Sequence, residues 1–165
     1  MSSLRIRALL DTYVFIYAYE ILDSNSHIII GALNQGLFDA LITESTFKEC
    51  YRYIRRYYSK DVADVLRTYM FAACKLILSN QITDLQRYAS LVNKKDLEQV
   101  AAVRQFGIKY LVSYDEHFQG LKEYDTETIR PDPSTEKASG RLLNIYEERL
   151  KSAHVCSYRS ISDIS

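Results

Sequence analysis

The chain begins with a short, mostly apolar segment, Ile6 to Leu10, that stops at an acid, Asp11. It reads as a buried parallel strand with the acid at its C-terminal end. A second segment of this kind, Ile108 to Ser113, is followed closely by Asp115. Helical patterns alternate with such runs along the chain, which predicts an α/β fold: a three-layer α/β/α sandwich with a mostly parallel central sheet. In open sheets of this class the ligand crevice lies outside the carboxyl ends of the strands. That rule singles out Asp11 and Asp115.

The remaining elements follow from spacing and caps. Thr12 to Leu22 predicts a helix, and Asp23-Ser24-Asn25-Ser26 is a turn and cap cluster. A second helix is expected over His27 to Asn34, closed by Gly36. Phe38 to Thr43 reads as a strand. A third helix spans about Ser45 to Tyr58, with Phe47, Cys50, Tyr51, Ile54 and Tyr58 as its apolar stripe. Ser59 can cap a fourth, Lys60 to about Cys74. Leu76 to Leu78 is a short strand candidate. Ile82, Leu85, Tyr88 and Leu91 mark a further helix, and Asp96 to Phe106 another, with Gly107 at its end. After Asp115 come a helical turn, Glu116 to Leu121, and a strand, Thr128 to Arg130, stopped by Pro131. Ser134 to about Ala153 is amphipathic, with Leu142, Leu143, Tyr146 and Leu150 on one face.

Length and charge bound the function. At 165 residues the chain suits a single domain. Lys plus Arg and Asp plus Glu are 21 each, so the net charge of +0 excludes a histone-like polycation but not a local basic patch. No apolar run approaches the roughly 18 residues of a membrane span. The first residues have no signal-peptide layout, and the expectation is a cytoplasmic protein. The 3 cysteines, Cys50, Cys74 and Cys156, are scattered and form neither a disulfide framework nor a zinc motif.

Four acids share one logic. Asp11 ends the first strand, Glu49 lies in the first turns of the third helix, Asp96 opens the helix before the Ile108 strand, and Asp115 follows that strand. Carboxylates gathered at one end of a sheet repel each other, which is costly unless a cation sits among them. A donor set of oxygens without His or Cys suits hard cations, Mg²⁺ or Mn²⁺. Such ions activate water and stabilise charge in phosphodiester cleavage. Each acid alone has a simpler explanation. Asp11 and Asp96 are good helix starts, Glu49 lies off its helix's apolar stripe, and Asp115 fits a turn.

The chain resembles the PIN-domain nucleases over nearly its whole length. The matching segments are Leu9-Leu10-Asp11-Thr12-Tyr13-Val14-Phe15, Ile42 through Glu49, Lys95-Asp96-Leu97 through Ala101-Ala102 to Gly107, and Tyr110 through Phe118. It is most similar to the small toxin ribonucleases of the VapC type, whose Asp-x-His-Phe ending is matched by Asp115 to Phe118. The resemblance implies that Asp11, Glu49, Asp96 and Asp115 hold the metal, and that Thr12 and Ser113 support those acids by hydrogen bonding. It implies a PIN-like nuclease domain over residues 1–133, with 134–165 as a C-terminal helix and tail packed on or beside it. Two departures stand out. Tyr13 replaces the Asn common two places after the first Asp, and Ser113 replaces the usual Thr. Glu44 is a rival to Glu49, which falls at the family's helix position.

Other phosphoryl-transfer classes fail on their motifs. A haloacid-dehalogenase-like phosphatase needs a second Asp where Tyr13 stands, and no Gly-x-x-x-x-Gly-Lys loop occurs. Cations and aromatics interleave from Tyr51 to Lys60. On a helix, Arg52, Tyr53 and Arg56 follow Glu49 by three, four and seven residues, spacing suited to contacting RNA phosphates and stacking on a base. A solvated helix face with snorkelling arginines has the same pattern. The function expected is a Mg²⁺- or Mn²⁺-dependent ribonuclease, the toxin of a toxin–antitoxin pair, leaving 5′-phosphate and 3′-hydroxyl ends as the resemblance implies. The alternatives are a housekeeping RNA-processing nuclease and a non-catalytic module that binds RNA or protein. The aromatics Tyr51, Tyr53, Tyr57, Tyr58, Tyr69 and Phe71 exceed what one small core needs, which predicts a homodimer on the third and fourth helices. Burial of these rings under the chain's own amphipathic tail is the competing expectation.

Overall fold

A computed structural model describes residues 5–90, 92–116, 118 and 126–131. Its centre is a five-stranded, all-parallel sheet in the order β3-β2-β1-β4-β5. The strands are β1 (Arg7–Leu10), β2 (Asp39–Thr43), β3 (Cys74–Ile77), β4 (Tyr110–Val112) and β5 (Glu127–Ile129). The helices are α1 (Thr12–Glu20), α2 (Asn25–Asn34), α3 (Glu44–Tyr57), α4 (Lys60–Ala73) and α5 (Leu97–Gln105).

Strand alternation builds two cores. Ala8, Leu10, Ala40, Ile42, Tyr110 and Val112 face one side and pack with residues of α1 to α4. Leu9, Leu41, Ile77 and Leu111 face the other and pack with Val100 to Val103 of α5. A sheet buried on both faces needs near-continuous apolar strands, which is what these short runs are. The expected three-layer sandwich is therefore the observed architecture.

Capping follows local chemistry. The side chains of Ser24, Thr43 and Ser59 each accept from a backbone N–H in the first turn of the helix they precede. Gly36 and Gly107 take φ of +71° and +58°, the left-handed conformation that ends α2 and α5.

Several expectations are corrected. The helix expected from Ile82, Leu85, Tyr88 and Leu91 is a single 3₁₀ turn, Leu85–Tyr88. Those residues recur every three, the 3₁₀ repeat, not the mixed three and four of an α-helix. Asp84, at φ +57°, blocks any helix from continuing through it. Ile82 and Tyr88 still reach the core from this irregular segment. β3 begins two residues earlier than expected, directly at the end of α4. Tyr58, placed on the apolar stripe of α3, is the exposed residue at its C-terminus. Most of the helical turn expected over 116–121, Leu91, His117, Cys156 and the amphipathic tail lie outside the described residues.

Two glycines make a test of local backbone physics. An added Cβ meets nothing within 4 Å at either Gly31 or Gly107. Gly31 is inside α2, where Ala is preferred by about 1 kcal/mol. Gly107 has positive φ, where an L side chain costs roughly 1–2 kcal/mol. Gly31→Ala should raise the denaturation midpoint and Gly107→Ala should lower it, both read by urea titration.

Candidate active site

The sheet reverses its winding between β1 and β4. The chain runs outward from β1 through β2 and β3, then returns to the opposite side of β1 for β4 and β5. This is the topological switch point, where the loops leaving adjacent strands diverge and open a crevice. Asp11 follows β1, and Asp115 follows β4. The Asp11 N–H donates to the carbonyl of Val112 at 3.0 Å, holding the two strand ends together.

A cleft of about 490 Å³ opens there. Asp11, Glu49, Asp96 and Asp115 all line it, although four separate segments supply them. Asp11 is half-buried, and both of its oxygens are engaged. Oδ1 accepts from the backbone of Thr12 at 2.8 Å, so Asp11 does serve as the N-cap of α1. Oδ2 accepts from Ser113 Oγ at 2.6 Å. The same hydroxyl accepts from the Asp115 N–H at 3.0 Å and thereby couples the two strand-end acids. Thr12 Oγ1 donates to Glu49 Oε2 at 2.8 Å, tying α1 to α3. Asp96 is buried at the start of α5 but makes no side-chain cap bond to that helix.

Electrostatics oppose the charge on Asp11. Burial pushes its carboxyl up from its ordinary value. The bonds from Ser113 and Thr12 work the other way, while the negative charges of Glu49 and Asp115 add to the rise. A half-buried carboxylate facing two more is the environment a cation relieves.

Gln99 belongs to this site and is absent from the acids and hydroxyls read from sequence. It lines the cleft with 4% of its surface exposed. Its amide nitrogen donates to Asp11 Oδ1 and to Thr46 Oγ1, both at 3.4 Å. Its Oε1 is buried with no hydrogen-bond partner among the described residues. The signal was present: Gln99 is a polar residue on the inward side of an otherwise apolar stretch, Val100 to Val103. Lys95, Arg130, Tyr17 and Tyr114 line the same cleft, as does Tyr13 at the position where the Asn is absent.

The other candidates divide. Glu44 lies away from the cleft; it pairs with Lys48 at 2.6 Å and accepts from the Ser79 N–H at 2.9 Å, which pulls its carboxyl down to about 2. Arg52 lines a separate groove with Phe47, Tyr51 and Arg67. Tyr53 packs edge-on against Tyr13, with ring centroids 6.5 Å apart. Arg56 lies over the ring of Tyr57 at 5.5 Å.

The donor chemistry fits a hard divalent cation: the acids lining the cleft offer carboxylate oxygens, with no His or Cys among the described lining residues. Among the described residues, no three His, Cys, Asp or Glu side chains converge on a single point. Like charges repel, and the carboxylates are distributed around the cleft walls. No helix among the described residues is long and apolar enough to cross a membrane.

No family model and no curated protein matches the chain. Its fold is similar to that of a chain in the crystal structure of VapBC2 from Rickettsia felis bound to a DNA fragment from their promoter. The TM-score is 0.55 at 12% identity, covering 77% of this chain and 100% of that one. At that identity the likeness shows a shared α/β architecture.

Proposed function

We propose that this protein is a Mg²⁺- or Mn²⁺-dependent endoribonuclease of the PIN type. The observation that carries the reading is the placement of Asp11, Glu49, Asp96 and Asp115 around one cleft at the switch point. Four segments far apart in sequence bring acids to the one place where this fold class binds ligands. Asp11 also caps α1 and Glu49 ties α3 to α1, but neither of those local bonds requires four carboxylates around one cleft, which is a costly arrangement without a cation.

Asp11, Asp96, Asp115 and Glu49 would hold the metal. When bound, the metal supplies positive charge for the developing phosphorane and lowers the pKa of a water. Ser113 fixes Asp11 through Oδ2 and Thr12 fixes Glu49, so both carboxylates are oriented before a ligand arrives. The Gln99 amide nitrogen also donates to Oδ1 of Asp11, at 3.4 Å. Lys95 and Arg130 bring cationic side chains to the cleft for the scissile phosphate and its neighbours. In the hydrolysis proposed, water adds to phosphorus and the P–O3′ bond breaks. The 3′ oxygen leaves with a proton, giving 5′-phosphate and 3′-hydroxyl ends.

A toxin paired with an antitoxin is the biological setting we propose, supported by likeness to a chain of the VapBC2 assembly. Purified protein should cleave a labelled RNA in Mg²⁺ or Mn²⁺ and stop in EDTA, with 5′-phosphate ends on the products. Undiminished cleavage in EDTA, or none in either metal, overturns the reading. The homodimer is proposed on the face where Phe71 and Val65 stand exposed and Phe71 packs on Phe47 at 4.7 Å. Light scattering should give twice the 19.2 kDa chain mass; a monomer at high micromolar concentration counts against it.

A further inference from the structure

The cleft does not end at the acids. Its aromatic wall continues onto the surface as an unbroken line of tyrosines. Tyr114 meets Tyr17 edge-on with ring centroids 4.8 Å apart, Tyr17 meets Tyr13 at 5.3 Å, Tyr13 meets Tyr53 at 6.5 Å, and Tyr53 meets Tyr57 at 4.6 Å. The line begins on the loop after β4, crosses α1 and runs along α3 to its last turn. Tyr17 and Tyr53 are half-buried, while Tyr13 and Tyr57 are 43% and 60% exposed. Buried rungs thus support exposed ones.

Two rungs of the line, Tyr114 and Tyr53, are held by their phenols. Tyr114 shares a 2.6 Å hydrogen bond with Ser26. Tyr53 donates to Glu20 Oε1 at 3.0 Å, and Tyr58 donates to the same oxygen at 2.9 Å. Part-exposed aromatic faces packed on these rungs at 4.6–6.5 Å spacing present stacking surfaces at a reduced ordering cost on binding. The far end is cationic. Arg56 covers the Tyr57 ring, and Arg55 stands exposed beside it in the same turn.

We propose that this tyrosine line is a binding track for single-stranded nucleic acid leading out of the acidic cleft, with bases stacking on Tyr13 and Tyr57. The proposal rests on the nuclease reading and adds to it the surface that carries the strand: exposed rings outside the acidic cleft, engaging bases with little sequence preference. Every base has a π-face, so aromatic platforms bind strands without reading their edges. Charge distribution favours a polyanion over an apolar partner. The track starts at the carboxylates proposed to hold a cation and ends at Arg55 and Arg56, which would serve the phosphates that link stacked bases. A duplex has its bases already stacked and offers the track nothing.

The test separates binding from cleavage. The probe is a fluorescein-labelled 12-nucleotide oligouridine, titrated by anisotropy with Asp11→Asn protein in EDTA. Adding Tyr57→Leu should weaken binding at least tenfold, and adding Tyr57→Phe should leave it within twofold, because stacking needs the ring and not the hydroxyl. A 12-base-pair RNA duplex should bind far more weakly than the strand and be indifferent to Tyr57. Equal affinity in the Leu and Tyr forms overturns the track even where the wild-type protein cleaves RNA. Tyr57-dependent binding by a protein that cleaves nothing supports the track and removes the nuclease reading. Sedimentation showing that Tyr57→Leu converts a dimer to a monomer assigns the surface to a second copy and overturns the proposal.

Discussion

Asp11→Asn should abolish metal-dependent RNA cleavage and, in EDTA at neutral pH, raise the melting temperature above that of the wild-type protein. The two effects have one cause. Asn keeps the size of Asp and an oxygen for the Thr12 N–H, which Asp11 now accepts at 2.8 Å. Its amide faces Ser113 Oγ, and a hydroxyl can turn from donor to acceptor. What disappears is the charge. Loss of a partner outside the ligand set typically costs 10- to 100-fold, so loss of a ligand charge should cost at least about a hundredfold.

The stability effect follows from linkage. Asp11 has its carboxyl raised above the ordinary 3.8, first by burial and then by Glu49 and Asp115. The folded state therefore holds this proton more tightly than the unfolded chain does. Its contribution is favourable at low pH and is lost as pH rises through the raised folded value. At neutral pH the ionised Asp11 works against the fold, and Asn relieves it. The variant's advantage should shrink as pH falls towards 3.8. Mg²⁺ should raise the melting temperature of the wild-type protein and leave the variant nearly unmoved. Scanning fluorimetry across pH, with and without metal, reads all of this. A variant that melts lower than wild type in EDTA would sink the electrostatic account.

The sequence carried the sheet because strands buried on both faces are plain in one dimension. Leu9 and Leu10 face opposite cores, so neither can be polar. It pointed to Asp11 and Asp115 because strand ends at a switch point are positions, and positions can be counted; Glu49 lies within α3 and Asp96 at the start of α5, and both enter through the resemblance. It did not carry the segment from Ile82 to Tyr88, where a repeat of three looked like part of a helix. Nor did it separate the aromatics of α3. Tyr53 and Tyr57 turn towards α1, while Phe47 and Tyr51 turn towards α4. Residues in neighbouring turns reach different partners, and helical spacing alone does not name the partner. Gln99 escaped for a related reason. A polar residue beside an apolar stretch marks a buried amide but does not name its partner, and its importance lies in the oxygen it faces.

The second large effect is expected at that residue. In Gln99→Glu an oxygen replaces the amide nitrogen that now stands 3.4 Å from Asp11 Oδ1. Gln99 is 4% exposed, so two carboxylates would face each other with little water between them. Breaking a buried charge balance costs about 3–5 kcal/mol; at the low end that lowers the melting temperature by roughly 10 °C for a chain of this size. The pair can share a proton, which raises the apparent pKa values of the pair above those of the unfolded chain. Stability is then recovered at low pH and lost as pH rises through the pair's upper value. Gln99→Leu is the contrast. It removes the donor to Asp11 and Thr46 without adding charge, at a cost of about 1–3 kcal/mol. That loss should vary far less with pH. The double variant Asp11→Asn with Gln99→Glu exchanges the amide and the carboxylate across the same gap. It should recover most of the stability that Gln99→Glu loses, although it remains inactive. Recovery by exchange is the signature of two side chains coupled through one hydrogen bond. If the double variant melts where simple addition of the two single changes puts it, Gln99 is packing in the cleft wall and does not set the charge on Asp11.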